Sequence, residues 1–315
     1  MTSLLDRKLL FVTGKGGVGK TTIAASLALL AAEQGKRTLV CEVDAKGNLA
    51  DFYEAGQTEF KARELQPRLW AMSMDTEASL KEYLSLQLKL PLIAKIGPLA
   101  KTFDFVANAA PGVKEILTVG KFCWEVRERH YDLVVVDAVA SGHIIGQLTA
   151  PQSINELVQV GMVRGQTQWM LDILTDHSKT GVVIVSAPEE MPVNETIELA
   201  DRLAAETTID LAAVIVNRVL PELFSGNEEA IFDDLREPAA MAKLSKLAGG
   251  DVGPIMDGAE LAVTLRRTRA VHLATLRDGL SPMLPLIYVP YLFARTHGLR
   301  ATRQVAEHLS EELGF

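Results

Sequence analysis

The sequence predicts an α/β fold, a doubly wound and mostly parallel sheet carrying a helical insertion. Three observations point there. Short apolar runs alternate with helical segments, the pattern of strands joined by crossover helices. Several runs are apolar at consecutive positions, as strands covered on both faces require. A glycine-rich loop stands between the first run and the first helical segment. Seven runs are expected as strands: residues 8–13 (KLLFVT), 38–43 (TLVCEV), 69–74 (LWAMSM), 133–137 (LVVVD), 182–186 (VVIVS), 212–217 (AAVIVN) and 286–289 (LIYV). Four end on a polar residue, Thr13, Asp137, Ser186 and Asn217. Ligands of open α/β sheets bind beyond the carboxyl ends of the strands, so these residues converge on one expected site.

The remaining segments read as helices. Residues 76–130 form a largely helical insertion rich in Leu and Ile, interrupted at Pro91, Pro98 and Pro111-Gly112. Residues 221–276 form a second helical stretch with a break at Gly249-Gly250. Residues 298–313 read as a mixed-charge amphipathic helix whose acidic end, Glu307, Glu311 and Glu312, suits packing on the sheet better than a membrane. No internal repeat is present, and residues 1–315 are expected to form one domain.

Composition narrows the function. Of 315 residues, 48% are apolar, enough for a large core, and 23% are charged, too few for wholesale disorder. Thirty-two Lys and Arg against 40 Asp and Glu leave a net charge of −8. That balance opposes sequence-independent binding to DNA and adhesion to anionic lipid. No run approaches the ~18 to 20 apolar residues of a membrane span. The apolar run 9–12 is too short for a signal peptide and leads directly into the glycine loop. A cytoplasmic protein is expected, without a nucleic-acid partner or stable membrane insertion. The two cysteines, Cys41 and Cys123, have no metal-ligand spacing and read as reduced, buried thiols.

The strongest signal is Gly14-Lys15-Gly16-Gly17-Val18-Gly19-Lys20-Thr21, followed by Thr22. It satisfies G-x-x-x-x-G-K-[ST] between a strand and a helix, the setting of a phosphate-binding P-loop. Glycines let successive backbone N–H groups face phosphate oxygens, and the helix that follows aims its N-terminal dipole at the same anion. Lys20 supplies charge to the β- and γ-phosphates, and Thr21 offers a hydroxyl to Mg²⁺. Four hydrophobic residues ending in Asp137 form a Walker B arrangement, whose carboxylate holds Mg²⁺. ATP and Mg²⁺ are the expected ligands.

Lys15 is not required by ordinary P-loop geometry. The string GKGGVGKTT resembles the deviant Walker A ATPases, which include the arsenite-pump ATPase, the tail-anchored-protein targeting ATPase, the MinD/ParA proteins and nitrogenase iron protein. The resemblance implies a nucleotide-dependent dimer in which Lys15 reaches the partner's nucleotide and compensates charge there. Residues 44–51 (DAKGNLAD) are similar to the switch I string DPAHNLSD of the arsenite-pump and targeting branch, matching at Asp44, Asn48, Leu49 and Asp51. It implies that Asp44 positions the attacking water; capping the turn after a strand is its alternative reading. Residues 137–143 (DAVASGH) resemble the switch II string DTAPTGH, making Ser141, Gly142 and His143 switch elements, with Ala138, Val139 and Ala140 departing. A packed histidine bridging backbone groups is the alternative reading of His143. Asn217-Arg218 matches the position where the family reads adenine, and Pro290 opens a loop (PYLFARTHG) where the family places an adenine-flanking segment; Arg295 stands there in place of an acidic residue. PGVKE at 111–115 and PVNET at 192–196 resemble further strings of the branch, so the likeness spans residues 8 to 300.

Departures shape the expected task. Arsenite binding needs clustered thiolates, and two scattered cysteines do not supply them. The absence of CxxC removes the intersubunit zinc of the targeting branch, and no iron–sulfur cluster is expected. A single P-loop implies pairing, as a homodimer or with a related subunit. The resemblance places a hydrophobic client or a membrane-protein partner at the insertion, although core packing accounts for its Leu and Ile equally well. Two alternatives remain: a positioning ATPase of the MinD/ParA kind, and a weakly catalytic subunit of a heterodimer.

Overall fold

The computed structural model describes residues 3–43, 49–88, 112–158, 160–222, 224–293 and 298–315. Among the described residues eight strands form one sheet: β1 (Leu9–Gly14), β2 (Thr38–Glu42), β3 (Arg63–Gln66), β4 (Leu69–Ser73), β5 (Leu133–Asp137), β6 (Thr180–Ser186), β7 (Leu211–Val219) and β8 (Leu286–Pro290). Their order is β3-β4-β2-β5-β1-β6-β7-β8. Every pairing is parallel except β3 with β4. All seven expected runs are strands. β3 was not expected: its sequence, RELQ, is polar and half exposed. β3 is an edge strand with exposed Arg63 and Glu64, so it carries no apolar signature.

Among the described residues the helices are α1 (Lys20–Glu33), α2 (Thr76–Leu88), α3 (Val113–Arg127), α4 (Ser141–Leu157), α5 (Met162–Leu174), α6 (Glu190–Glu206), α7 (Gly226–Leu235), α8 (Pro238–Ala248), α9 (Gly253–Gly279) and α10 (Leu299–Leu313). Both faces of the sheet are covered. On one side α1 and α10 pack over Leu10, Val12, Val40, Val135 and Ile215. α1 is buried without interruption from Ile23 to Ala32, which explains its almost wholly apolar sequence. α10 presents Ala301, Thr302, Val305, Ala306 and Leu309 inward at helical spacing, and Ser26 Oγ donates to Thr302 O over 3.0 Å. On the other side α3, α4, α5 and α6 cover Phe11, Cys41, Val136 and Ile184. α3 thus belongs to the sheet's own cover, through Val119, Phe122 and Cys123. Both cysteines are buried and free. No helix among the described residues is long and apolar enough to cross a membrane.

This architecture makes β1 the pivot. It lies between β5 and β6, and the connections run outward in opposite directions from it. Its carboxyl end is therefore the crevice where such sheets take ligands.

Candidate functional site

The glycine loop leaves β1 at Gly14 and enters α1 at Lys20. The turn uses backbone angles that side chains resist: φ is +88° at Gly17 and +97° at Gly19. A Cβ on Gly19 would also lie 2.3 Å from Asn217 Nδ2. Asn217, 7% exposed, donates from Nδ2 to Val18 O over 2.9 Å, and its Oδ1 accepts from Arg218 N over 2.9 Å. The end of β7 thereby buttresses the loop, a task not expected for this residue. One Nδ2 hydrogen and one Oδ1 lone pair remain for other partners.

Thr21 Oγ1 donates to Asp137 Oδ2 over 2.7 Å, joining α1 to the end of β5. Lys20 Nζ lies 3.3 Å from Lys15 O and stays at the loop. Thr13 Oγ1 donates to Val139 O over 2.8 Å, and Ala138 N to Val12 O over 2.9 Å, so the segment after β5 is stitched to β1. Nearby, Tyr53 donates to Ala25 O over 2.8 Å. Burial, and secondarily the Asp137 carboxylate, push its hydroxyl pKa well above the usual phenol value, so it stays a neutral donor.

Lys15 is half-buried and forms an ion pair with Glu195 of α6. The other oxygen of that carboxylate, Oε2, accepts from Ser141 Oγ over 3.1 Å. One carboxylate thus holds both the additional lysine of the loop and the first residue of α4. Glu195 lies in the PVNET string, but its spacing gave no signal of this role. Gly142 and His143 are exposed at the start of α4.

Beside the loop lies a cavity of about 300 Å³. Thr22, Asn217, Arg218 and Pro290 line it, as do Phe52 and Arg269, which were not singled out from the sequence. Arg218 has a φ of +62°, at the point where the β7–β8 register shifts between Val216 and Val219. The structure therefore brings together residues 14–22, Asp137, Ser141, Asn217, Arg218 and Pro290. Asp44, Asn48 and Arg295 lie outside the described residues.

Known proteins are similar in sequence to this chain. The family model described as anion-transporting ATPase matches residues 7–170 and 159–233. An ATPase of Mycobacterium tuberculosis, BagA, is 28% identical over 297 residues, covering 90% of this chain and 86% of that protein. A putative arsenical pump-driving ATPase of Halobacterium salinarum is 28% identical over 256 residues, 75% of this chain but only 39% of its own length. An ASNA1 homologue of Paramecium tetraurelia is 29% identical over 256 residues, 68% of this chain and 75% of that protein.

Proposed function

Because the chain belongs to the ArsA family of anion-transporting ATPases and is an ATPase, we propose that it is a nucleotide-switched dimer in which ATP binding closes two subunits and hydrolysis reopens them. The observation that carries the nucleotide site in this reading is the Thr21–Asp137 hydrogen bond beside the end of β1. It joins the P-loop to the Walker B strand where a phosphate and a cation would meet.

The loop N–H groups and Lys20 hold the phosphates, and the cavity beside Thr22, Asn217, Arg218 and Pro290 takes the base and sugar. The Thr21 hydroxyl and the Asp137 carboxylate are hard oxygen donors and suit Mg²⁺. Among the described residues no cluster of three or more His, Cys, Asp or Glu exists. Such a sparse set agrees with an ion that binds through one or two carboxylates plus substrate phosphates. Bound Mg²⁺ would neutralise charge on the phosphates. Asp44 orients the attacking water, with Asn48 beside it in switch I; both roles rest on the resemblance.

Lys15 and Ser141 share Glu195, so movement of the switch II residues Ser141, Gly142 and His143 loosens the hold on Lys15. Lys15 then exchanges Glu195 for the partner's nucleotide. All 315 residues act as one ATPase domain, in which 76–130 and 221–276 are the segments expected to be helical; residues 89–111 of the first lie outside the described residues. A hydrophobic client or membrane-protein partner is engaged at the first. An apolar cavity of about 270 Å³ there, among Tyr83, Trp124, Trp169 and Met170, supports that placement. Arsenite is not the cargo, since Cys41 and Cys123 are buried in the core and burial raises both thiol pKa values.

Turnover and nucleotide affinity of the purified chain test this. Lys20→Ala abolishes turnover. Lys15→Ala lowers turnover roughly a hundredfold or more, with ATP affinity within about twofold of wild type. Equal loss of binding in both variants would remove the cross-subunit role of Lys15. Specific activity independent of protein concentration, with a monomer in ATP, would remove the dimer.

A further inference from the structure

β2 ends on a carboxylate. Glu42 is 3% exposed and is the register partner of Asp137 on β5. Side chains alternate between the faces of a sheet, so residues two positions earlier show where both carboxylates point. Val40 and Val135 belong to the core under α1, whereas Cys41 and Val136 belong to the opposite core. Glu42 and Asp137 therefore leave the sheet side by side toward α1, on the face where Thr21 meets Asp137. The backbone holds them there: Val43 N donates to Asp137 O over 3.1 Å, and Met74 N to Glu42 O over 2.7 Å.

A cation between two adjacent carboxylates balances the charge of both. Mg²⁺ keeps several waters and takes one or two carboxylates besides phosphate oxygens.

We propose that Glu42 is a second carboxylate for the Mg²⁺ of the bound nucleotide, placed beside Asp137 and acting through the ion's water shell. This rests on the nucleotide-site reading above. Glu42 is a positioning residue: it holds water on the ion and so orients the ion against Thr21 and Asp137. Its contribution is to metal affinity, separate from affinity for the nucleotide itself.

The experiment uses the full chain with ADP and Mn²⁺, read by electron paramagnetic resonance, alongside calorimetry of ADP in chelator. Glu42→Gln keeps the shape and removes the charge; Glu42→Asp keeps the charge at shorter reach. Loss of an outer-shell ligand partner weakens metal binding about tenfold or more. Glu42→Gln is expected to show that loss, with metal-free ADP affinity within about twofold of wild type and an unliganded melting temperature no lower. Glu42→Asp is expected to fall between it and wild type. Unchanged Mn²⁺ affinity in Glu42→Gln overturns the proposal. Parallel loss of metal-free ADP binding and melting temperature also overturns it, because that is the mark of a packing role. Wild-type protein that binds no ADP under either condition overturns the nucleotide-site reading, and this inference with it.

Discussion

The crevice at the end of β1 and the arm built by α7, α8 and α9 are held by different forces. Around the crevice, Leu9 to Val12 are wholly buried, and the ties are long-range: Thr21 to Asp137, Thr13 to Val139, Asn217 to Val18. In the arm, α8 has no buried residue, and the 27-residue α9 buries only Val263 and Leu276. Besides the stacked Phe224 and Phe232 rings, with centroids 5.4 Å apart, its cohesion is largely polar. Ser225 and Glu228 form a capping box at the start of α7, Arg236 pairs with Glu260, and Arg267 pairs with Glu229 at 3.0 Å and Asp233 at 3.2 Å. Exposed ion pairs contribute about 0–1 kcal/mol each, far less than a buried side chain. Site geometry is thus set where substitution is costly, and the arm presents its surface where substitution is cheap. Leu247, Ile255 and Leu261 stand 85%, 73% and 61% exposed there, apolar groups that the fold itself does not use.

The difference can be measured directly. The largest effect is expected at Phe11, fully buried and edge-on to Phe122 with ring centroids 6.3 Å apart. Phe11→Ala should lose about 3–5 kcal/mol in denaturant unfolding. Leu247→Ala should stay within about 0.5 kcal/mol of wild type. Comparable losses in both would erase the distinction between core and arm.

Glycine substitution sharpens the comparison at the site itself. Gly19→Ala strains a left-handed residue and drives a Cβ against Asn217, so ADP affinity should fall roughly a hundredfold by calorimetry. Gly250→Ala, with open space around its added carbon, should bind ADP like wild type. Normal binding by Gly19→Ala would show that the loop does not depend on its packing against β7.

The smallest effect belongs to Arg267→Ala. Removing both exposed ion pairs should scarcely move the denaturant unfolding midpoint and leave ATP turnover unchanged. A larger loss would mean that the arm is held by its charges cooperatively.

Much of this was legible from residue order. The runs of β1, β2, β5 and β6 became strands because a strand buried on both faces must be apolar along its length. The break at Gly249 is a helix end with φ of +70°, a backbone state that glycine adopts freely. β3 escaped because it is a polar edge. Asn217 carried a resemblance to an adenine reader, and in the structure its amide also braces the loop, a contact no local pattern announces. Glu195 sat inside a recognised string, but its partner Lys15 is 180 positions away.

By itself, then, the sequence determined seven of the eight described strands and the phosphate-binding loop, since these follow from short-range spacing of apolar residues and glycines; the family followed from the resemblance of its motif strings. Tertiary structure decided which side chains share the site. Thr21 meets Asp137 across 116 residues, Lys15 meets Glu195, and Glu42 stands beside Asp137, because parallel strands align by register rather than by order in the chain. A one-residue slip of β2 against β5 would turn Glu42 to the opposite face, so only the assembled sheet places two carboxylates at one phosphate-binding loop.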